Sequence, residues 1–216
     1  MKFEMAIRSR PITSQAMEVK HNEFCHFLSR ELHWGFKTQE IHTIPIKKEE
    51  FISQAKLTDL LHSGVRGNIW YASRDGVQDK AMYDDFLDFE FNLKKVDYDY
   101  LLGGGIQKYL HDFSAYYAHI GNRDFFRIDF ERMQKKNLRQ GIYRIFQVTF
   151  IDAVLCERSF QRKPSDVIAA VKDLVYHAEL VNGGVLIMLS PKPLLPAEEN
   201  EIGEKVREFL LPTSEV

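Results

Sequence analysis

The chain has 216 residues, of which 44 % are hydrophobic and 28 % are charged, a composition typical of a globular protein rather than a disordered one. A chain of this length can bury a sizeable core within one large domain. Its formal net charge of −2 excludes a strong overall field that would attract nucleic acid or anionic membranes, although a local patch can still do so.

The N-terminal segment and the cysteines indicate the compartment. The first residues, MKFEMAIRSRP, lack the continuous apolar run of a signal peptide, and no apolar run in the chain is long enough to span a bilayer. Cys25 and Cys156 lie far apart, so they suggest neither a disulfide framework nor a zinc ribbon. These features predict a soluble, cytoplasmic protein with no membrane partner.

Strands and helices are predicted in turn along the first third of the chain. Residues 2–9 alternate between apolar and polar side chains and predict a strand, and a helix with one apolar side is expected over about 14–34. Residues 40–46 predict a second strand, which contains a proline and so belongs at a sheet edge. A helix over about 48–62 and a mostly apolar strand over 68–73 follow.

The clearest pattern in the chain is the strict alternation of residues 86–95. Its apolar side chains are Leu87, Phe89, Phe91 and Leu93, and its polar ones are Asp88, Glu90, Asn92 and Lys94. Such alternation predicts a strand with one buried face and one polar face. With Asp84 and Asp85 just upstream, the strand presents a row of acidic side chains on a rigid support.

After this strand, the glycines at 103–105 open an amphipathic helix predicted over about 106–120. These glycines could present N–H groups to an anion, but a flexible turn is the simpler interpretation, since the lysine and hydroxyl residues of a phosphate-binding loop are missing. Residues 123–133 predict a strand. Residues 142–156 are apolar on both faces and predict the central strand of the sheet, paired with 123–133 as an antiparallel hairpin.

The C-terminal part of the chain adds two helices and one strand. A helix is expected from about 165, where Ser165 or Asp166 can cap it, and Asn182-Gly183-Gly184 are interpreted as its stop signal. Residues 185–189 predict a last buried strand. Pro196 then begins a final helix with acidic residues in its first turn.

The resulting order is β-α-β-α-β-β-α-β-β-α-β-α. We therefore expect an α+β fold, with a mixed, largely antiparallel sheet and amphipathic helices packed on it. Residues 1–216 are predicted to form a single α+β domain. Within it, a small βαβ-like N-terminal subdomain over 1–63 and a larger C-terminal sheet subdomain over 67–216 are an alternative arrangement.

The polar face of the 86–95 strand is the first candidate site. Carboxylates two residues apart on a strand share a face at about 7 Å, so Asp88 and Glu90 could share a hydrated Mg²⁺ or Mn²⁺. A metal held in this way suits phosphoryl or nucleotidyl transfer, with Arg127 or Arg144 binding phosphate. The alternative is a solvated strand face, on which Arg127 pairs with Asp88 or Glu90 as an ordinary cross-strand ion pair.

Asp152 is a second candidate, because it falls among apolar residues on the predicted central strand. A carboxylate in that position must be paired, hydrogen-bonded or protonated. It is either the third acid of a catalytic site or a structural group. A structural Asp152 would pair with Arg144 or lie at an exposed strand end.

Five segments resemble, in order, landmarks of the archaeo-eukaryotic primase small subunit: RELHWGF (30–36), IWYAS (69–73), FLDFEFN (86–92), GNRDFF (121–126) and VTFID (148–152). That family has an Asp-x-Asp metal pair, a later histidine and a third Asp. The resemblance implies Glu90 and Asn92 as the metal pair and Asp152 as the third acid. The sequence departs from the family pattern at Asn92, which replaces a carboxylate, and at the histidine position, which falls on Phe126 or Arg127.

A weaker metal site is suggested on the first helix, where Glu18, His21 and Cys25 share one face. No second Glu-x-x-His segment completes a two-metal site, and a buried thiol beside a surface imidazole is the alternative.

Two functions follow from these candidates. The first is a soluble, non-catalytic binding or accessory protein, which uses an acidic surface at 84–99 and a basic surface at 123–144 to bind protein or nucleic acid. The alternative is an enzyme dependent on Mg²⁺ or Mn²⁺ that acts on nucleotides or nucleic acid through Asp88, Glu90 and Asp152. In that enzyme the three carboxylates must converge in one concave site.

Overall fold

The computed structural model describes residues 1–31, 33–39, 45–48, 52–75, 79–125 and 136–212. The chain divides into two compact units, which comprise residues 1–115 and 116–216. Both combine antiparallel strands with helices, so the predicted α+β class is confirmed. Among the described residues, no helix combines the length and apolar character needed to cross a membrane.

The first unit is built on strands in the order β2-β3-β4-β5-β1, and every neighbouring pair is antiparallel. The strands are β1 (Lys2–Ser9), β2 (Lys47–Lys48), β3 (Ile52–Lys56), β4 (Val65–Ala72) and β5 (Asp85–Asn92). The helices are α1 (Met17–Arg30), the single turn α2 (Tyr98–Tyr100) and α3 (Ile106–Asp112). The segment 63–67, between the two subdomains of the alternative arrangement, is the turn into β4 and the start of that strand.

The apolar face of β5 lies in the core of the first unit. Buried and half-buried residues alternate along β5, as its sequence predicts, but the strand ends at Asn92, and residues 93–95 of the predicted strand lie in the turn that follows. Leu87 and Phe89 are fully buried on the inner face of the sheet. Helices α1 and α3 contribute Phe24 and Tyr109 to the same core, where the Phe89 and Tyr109 rings meet edge to face with centroids 5.9 Å apart. The hydrophobic face of β5 therefore anchors both helices.

The prediction of a helix over 48–62 is wrong for those of its residues that the structure describes. β2 ends at Lys48, β3 occupies Ile52–Lys56, and turns follow at 58–60. β3 pairs with β4 from Ile52 opposite Ala72 to Lys56 opposite Asn68, and its buried residues alternate. Pairing with a neighbouring strand has overridden the local helical pattern. The strand predicted over 40–46 falls largely on residues outside the described ones.

The helix predicted over 106–120 ends at Asp112, eight residues early. Ser114 adopts a left-handed conformation with φ of 53°, and the Ala115 N–H donates to the Leu110 carbonyl to close the helix end. Residues from Tyr117 onward form a strand in which every residue is buried. The helical spacing of Tyr117 and Ile120 was coincidental, because a strand buried on both faces also carries apolar residues at those positions.

The second unit has strands in the order β6-β7-β9-β8, again antiparallel. The strands are β6 (Tyr117–Asn122), β7 (Val148–Ile151), β8 (His177–Val181) and β9 (Gly184–Met188). The helices are α4 (Ala153–Phe160), α5 (Pro164–Val171) and α6 (Pro196–Leu210). The predicted last strand and final helix correspond to β9 and α6.

The long central strand predicted over 142–156 is only four residues long, because α4 begins directly after Asp152. The Asp152 carboxylate accepts a hydrogen bond from the Leu155 N–H at 2.7 Å, which makes it the N-cap of α4. The interpretation of Asp152 as a carboxylate among apolar neighbours of a strand is therefore wrong. The partner strand predicted over 123–133 falls largely on residues 126–135, outside the described ones.

The helix expected from 165 to about 181 is also shorter than predicted, since α5 ends at Val171 and β8 follows. Asn182 and Gly183 form the tight turn between β8 and β9, with φ of 47° and 77°. Two residues with positive φ fit the twist of an antiparallel hairpin. Asn182-Gly183 is thus a hairpin turn and not a helix stop signal.

Candidate functional site

The predicted acidic row does not form a continuous surface in the first unit. Asp84, just before β5, and Asp85 are buried, at 5 % and 0 % exposure, whereas Asp88 and Glu90 are half-buried on the face of β5 opposite to that of Asp85. Asp84 lies 3.5 Å from the Arg8 guanidinium. Only the later acids, such as Asp99, are exposed. The two acids nearest the start of β5 therefore belong to the interior.

Asp85 is the centre of a buried charge cluster, which we call the Asp85 cluster. Its carboxylate accepts hydrogen bonds from the Lys20 ammonium at 2.9 Å, from both terminal nitrogens of Arg74 at 2.7 and 2.9 Å, and from the Ala72 N–H at 3.2 Å. Lys20 also donates to the Ser9 hydroxyl at 2.8 Å. Burial lowers the pKa of Lys20, and the charge of Asp85 opposes that shift. All four hydrogen bonds that the Asp85 carboxylate accepts come from within the first unit. Because Lys20 belongs to α1 and Asp85 to β5, the cluster joins α1 to the sheet.

Asp88 and Glu90 do share one face of β5, as predicted. In register, Asp88 lies between Ala6 of β1 and Asn68 of β4, and Glu90 lies between Glu4 and Arg66. Both carboxylates have further interactions. Among the described residues, no group of three or more His, Cys, Asp or Glu side chains is arranged to hold a metal ion.

The remaining predicted site residues lie in different surroundings. Asp152 belongs to the second unit, where it caps α4, and Arg127 falls outside the described residues. Asn92, which the primase resemblance assigns to the metal pair, accepts a hydrogen bond from the Lys94 N–H through its side-chain oxygen. Phe126 is also outside the described residues.

Arg144 is buried in the second unit, at 2 % exposure. Its guanidinium donates to the Asn200 side-chain oxygen at 2.6 Å and lies 4.5 Å from the centre of the Phe125 ring. The neighbouring Glu199 is fully buried and accepts the backbone N–H groups of Asn122 and Gln147, both at 3.1 Å. These contacts give Arg144 an internal position rather than the surface position of a phosphate-binding arginine.

The three residues of the weaker metal site on α1 do not share one environment. His21 and Cys25 are buried, whereas Glu18 is exposed. The His21 Nδ1 lies 3.0 Å from the Tyr71 hydroxyl, and its Nε2 lies 3.5 Å from the Cys25 sulfur. Burial raises the pKa of the Cys25 thiol to about 12, so the thiolate is not available at neutral pH. The two buried side chains form an internal polar contact with the sheet.

One cavity of the first unit carries an unbalanced charge, and we call it the basic pocket. It has a volume of about 330 Å³ and lies where the 58–66 segment meets the end of β5. Its charged lining side chains are Lys2, Lys37, Arg66, Lys95 and Glu90. Lys2, Arg66 and Lys95 form no ion pair or side-chain hydrogen bond with any residue that the structure describes. These cations outnumber the single carboxylate of the lining, Glu90, and an excess of positive charge beside a cavity makes a candidate anion site.

Backbone contacts hold the walls of the basic pocket. The Asn92 N–H donates to the Gly64 carbonyl, and the Lys95 N–H donates to the Asn92 carbonyl. Gly64 has a φ of 97°, and a Cβ there would lie 2.5 Å from the Lys95 Cβ. A glycine is thus required for the lysine stem to pack against this turn. On the other side, the Lys37 N–H donates to the Leu60 carbonyl.

Sequence reasoning missed the basic pocket because its cations lie far apart in the chain, and no local pattern groups them. Glu90 is the only predicted catalytic residue among its lining side chains. The Asp85 cluster, in contrast, had a detectable signal. Asp85 lies two residues before Leu87 and four before Phe89, and side chains at such spacing share one face of a strand. The alternation of β5 therefore already places Asp85 on the buried face.

Comparison with known proteins does not assign the chain to a family. No family model matches the chain, and no curated protein matches it. Among solved structures, a T6SS protein of Pseudomonas aeruginosa is similar over 97 % of this chain and 73 % of its own, with a TM-score of 0.44 and 8 % sequence identity. A likeness at this level carries no conclusion about function.

Proposed function

We propose that this chain is a non-catalytic binding protein that holds an anionic group of its ligand in the basic pocket. The single observation behind the proposal is the cluster of Lys2, Arg66 and Lys95, which line the pocket without forming an ion pair with a described residue and outnumber its one carboxylate, Glu90. Like-charged side chains repel one another, and an anionic ligand relieves that repulsion. The same field raises the rate at which an anion meets the site.

This proposal changes the location of the binding surface that the sequence suggests. The acidic surface at 84–99 is weakened as a candidate because Asp84 and Asp85 are neutralised in the interior. In the basic segment at 123–144, Arg139 and Arg144 are buried, and residues 126–135 are outside the described ones. The cations of the basic pocket are exposed and therefore better suited to a ligand.

The metal-dependent enzyme stays the alternative function. It rests on Asp88 and Glu90, which share a face of β5, and on Mg²⁺ or Mn²⁺ as the metal. Its third acid, Asp152, already uses its carboxylate to cap α4. No described observation favours this alternative over a binding protein.

The test is a fluorescence-anisotropy titration of the full chain with labelled poly-aspartate and labelled single-stranded DNA. We expect binding of at least one polyanion, which weakens between about 50 and 200 mM salt. Arg66→Glu should weaken it at least tenfold. The matched control is Lys172→Glu, because Lys172 is an exposed residue of the second unit and the change in charge is the same. Equal weakening by both variants contradicts a pocket-based site.

The enzyme alternative is tested in parallel by melting curves in Mg²⁺ and Mn²⁺. A ligand that binds only the native state raises the melting temperature. The binding-protein proposal predicts no metal-dependent rise. A rise that disappears in Asp88→Ala supports the enzyme instead, since Asp88 does not line the basic pocket.

A further inference from the structure

The charge of the basic pocket selects among anions. Its lysine and arginine side chains number four against one carboxylate, a formal excess of three positive charges among these groups. A carboxylate ligand carries a single negative charge, whereas a phosphomonoester carries close to two at neutral pH and offers three strong acceptor oxygens. Lysines act as point charges toward phosphate, and arginine donates in a fixed fork. The phosphomonoester matches this lining more closely.

The size of the basic pocket indicates more than an isolated phosphate ion. A volume of about 330 Å³ lies at the lower end of small-molecule sites and equals the liquid volume of about eleven waters. A phosphate group occupies only part of that space. The rest is lined by groups that accept or exchange hydrogen bonds, namely Thr58, Ser63, Glu90 and Asn92. A ligand that fills this part therefore needs hydroxyl or amino donors.

Glu90 gives one part of the basic pocket a hydrogen-bond acceptor with a negative charge. Its carboxylate accepts hydrogen bonds but cannot donate them, and it repels a second anionic group. In the β-sheet register Glu90 lies opposite Arg66, so an acceptor and a cation border the same cavity. A molecule with a phosphate at one end and a hydroxyl-bearing body at the other satisfies both side chains.

We propose that the basic pocket binds a small phosphomonoester with a hydroxylated or amino-bearing body, the class that includes sugar phosphates and nucleoside monophosphates. Lys2, Arg66 and Lys95 contact the phosphate, and Glu90 accepts hydrogen bonds from the body of the ligand. This inference rests on the proposed anion-binding function and adds the chemical class of the ligand.

Calorimetric titration of the full chain with ribose 5-phosphate, inorganic phosphate, ribose and glucuronate tests this inference. We expect ribose 5-phosphate to bind at least tenfold more tightly than the other three. Arg66→Ala should weaken its binding at least tenfold, and Lys172→Ala should leave it unchanged. Glu90→Gln should weaken binding of ribose 5-phosphate but not of inorganic phosphate, because only the sugar hydroxyls reach that side chain. Circular dichroism checks that each variant is folded.

Equal affinity for glucuronate and ribose 5-phosphate overturns the inference, as does a Glu90→Gln variant that binds both phosphates like the unmodified chain. Binding confined to a phosphopeptide or to a 5′-phosphorylated oligonucleotide also overturns it, because the ligand is then macromolecular. If poly-aspartate binds in an Arg66-dependent way and no phosphomonoester does, the proposed function stands and this inference fails. If no anion binds, both fail.

Discussion

Replacement of Asp85 by alanine tests whether the Asp85 cluster stabilises the first unit. The substitution removes a carboxylate with no exposed surface and leaves Lys20 and Arg74 without their common partner. The side chain of Lys20 is 7 % exposed and that of Arg74 is 14 % exposed, so water compensates for little of the loss. The destabilisation should therefore be large.

Its magnitude follows from the contacts. Loss of one partner of a buried ion pair costs about 3–5 kcal/mol, because an uncompensated charge is left behind. Asp85 neutralises two cations and also accepts the Ala72 N–H, so we expect about 4 kcal/mol. The substitution Lys20→Met removes one of the stranded charges. In the Asp85→Ala background it should recover part of the loss, as a double-mutant cycle can measure.

Urea denaturation followed by tryptophan fluorescence is the appropriate assay, since both tryptophans, Trp34 and Trp70, lie in the first unit. Asp99→Ala is the matched control, because Asp99 is exposed and carries the same charge; it should change stability by less than about 0.5 kcal/mol. A cost below about 1 kcal/mol for Asp85→Ala would show that the Asp85 cluster does not stabilise the first unit.

The pH dependence of the Asp85→Ala variant gives a second signature. Burial already lowers the pKa of Lys20 in the folded protein, and loss of Asp85 removes the charge that opposes this shift. Between the lowered pKa of Lys20 and its ordinary value of 10.5, the unfolded chain then binds more protons than the folded one. Stability of the variant should therefore rise as the pH rises toward 10.5. A profile that is flat or falls as the pH approaches 10.5 would contradict this.

Three further predictions concern single groups. Asp152→Ala should cost about 1 kcal/mol in urea denaturation followed by circular dichroism, and Asp152→Asn almost nothing, since asparagine is an equally good N-cap; equal costs would exclude the capping role. Glu199→Gln should destabilise the second unit by about 2–3 kcal/mol, because the buried carboxylate accepts two backbone N–H groups; calorimetric melting checks this, and an unchanged transition would contradict it. Burial raises the pKa values of Cys25 and Cys156 from 9.0 to about 12. Both thiols should resist a thiol reagent until the chain unfolds, and the stability they contribute below pH 9 should be lost as pH rises toward 12; fast native labelling would show accessible thiols.

Strong periodicity made part of the fold predictable. The alternation of β5 and the proline and acidic residues at the start of α6 specify their elements locally, and the structure has them where expected. The errors arose where long-range pairing decides. Residues 52–56 are a strand because β4 lies beside them, and no local pattern contains that information.

Two other features have a local signal that competes with the one used for the prediction. Asn182-Gly183 between apolar runs is the strongest short-range signal of a hairpin, although the same residues also commonly follow the end of a helix. The position of Asp152 directly before a run of helix-forming residues is equally typical of an N-cap. The basic pocket could not be predicted, because it forms only when β1, β4 and the turn at 92–95 meet.

Heteronuclear NMR of the full chain during titration with ribose 5-phosphate tests the basic pocket most directly. We expect saturable shifts of the amide resonances of Ser63, Gly64, Asn92 and Lys95, with the amides of the second unit unchanged, and loss of these shifts in Arg66→Ala. No shifts at these amides, or the same shifts in the Arg66→Ala variant, would contradict it.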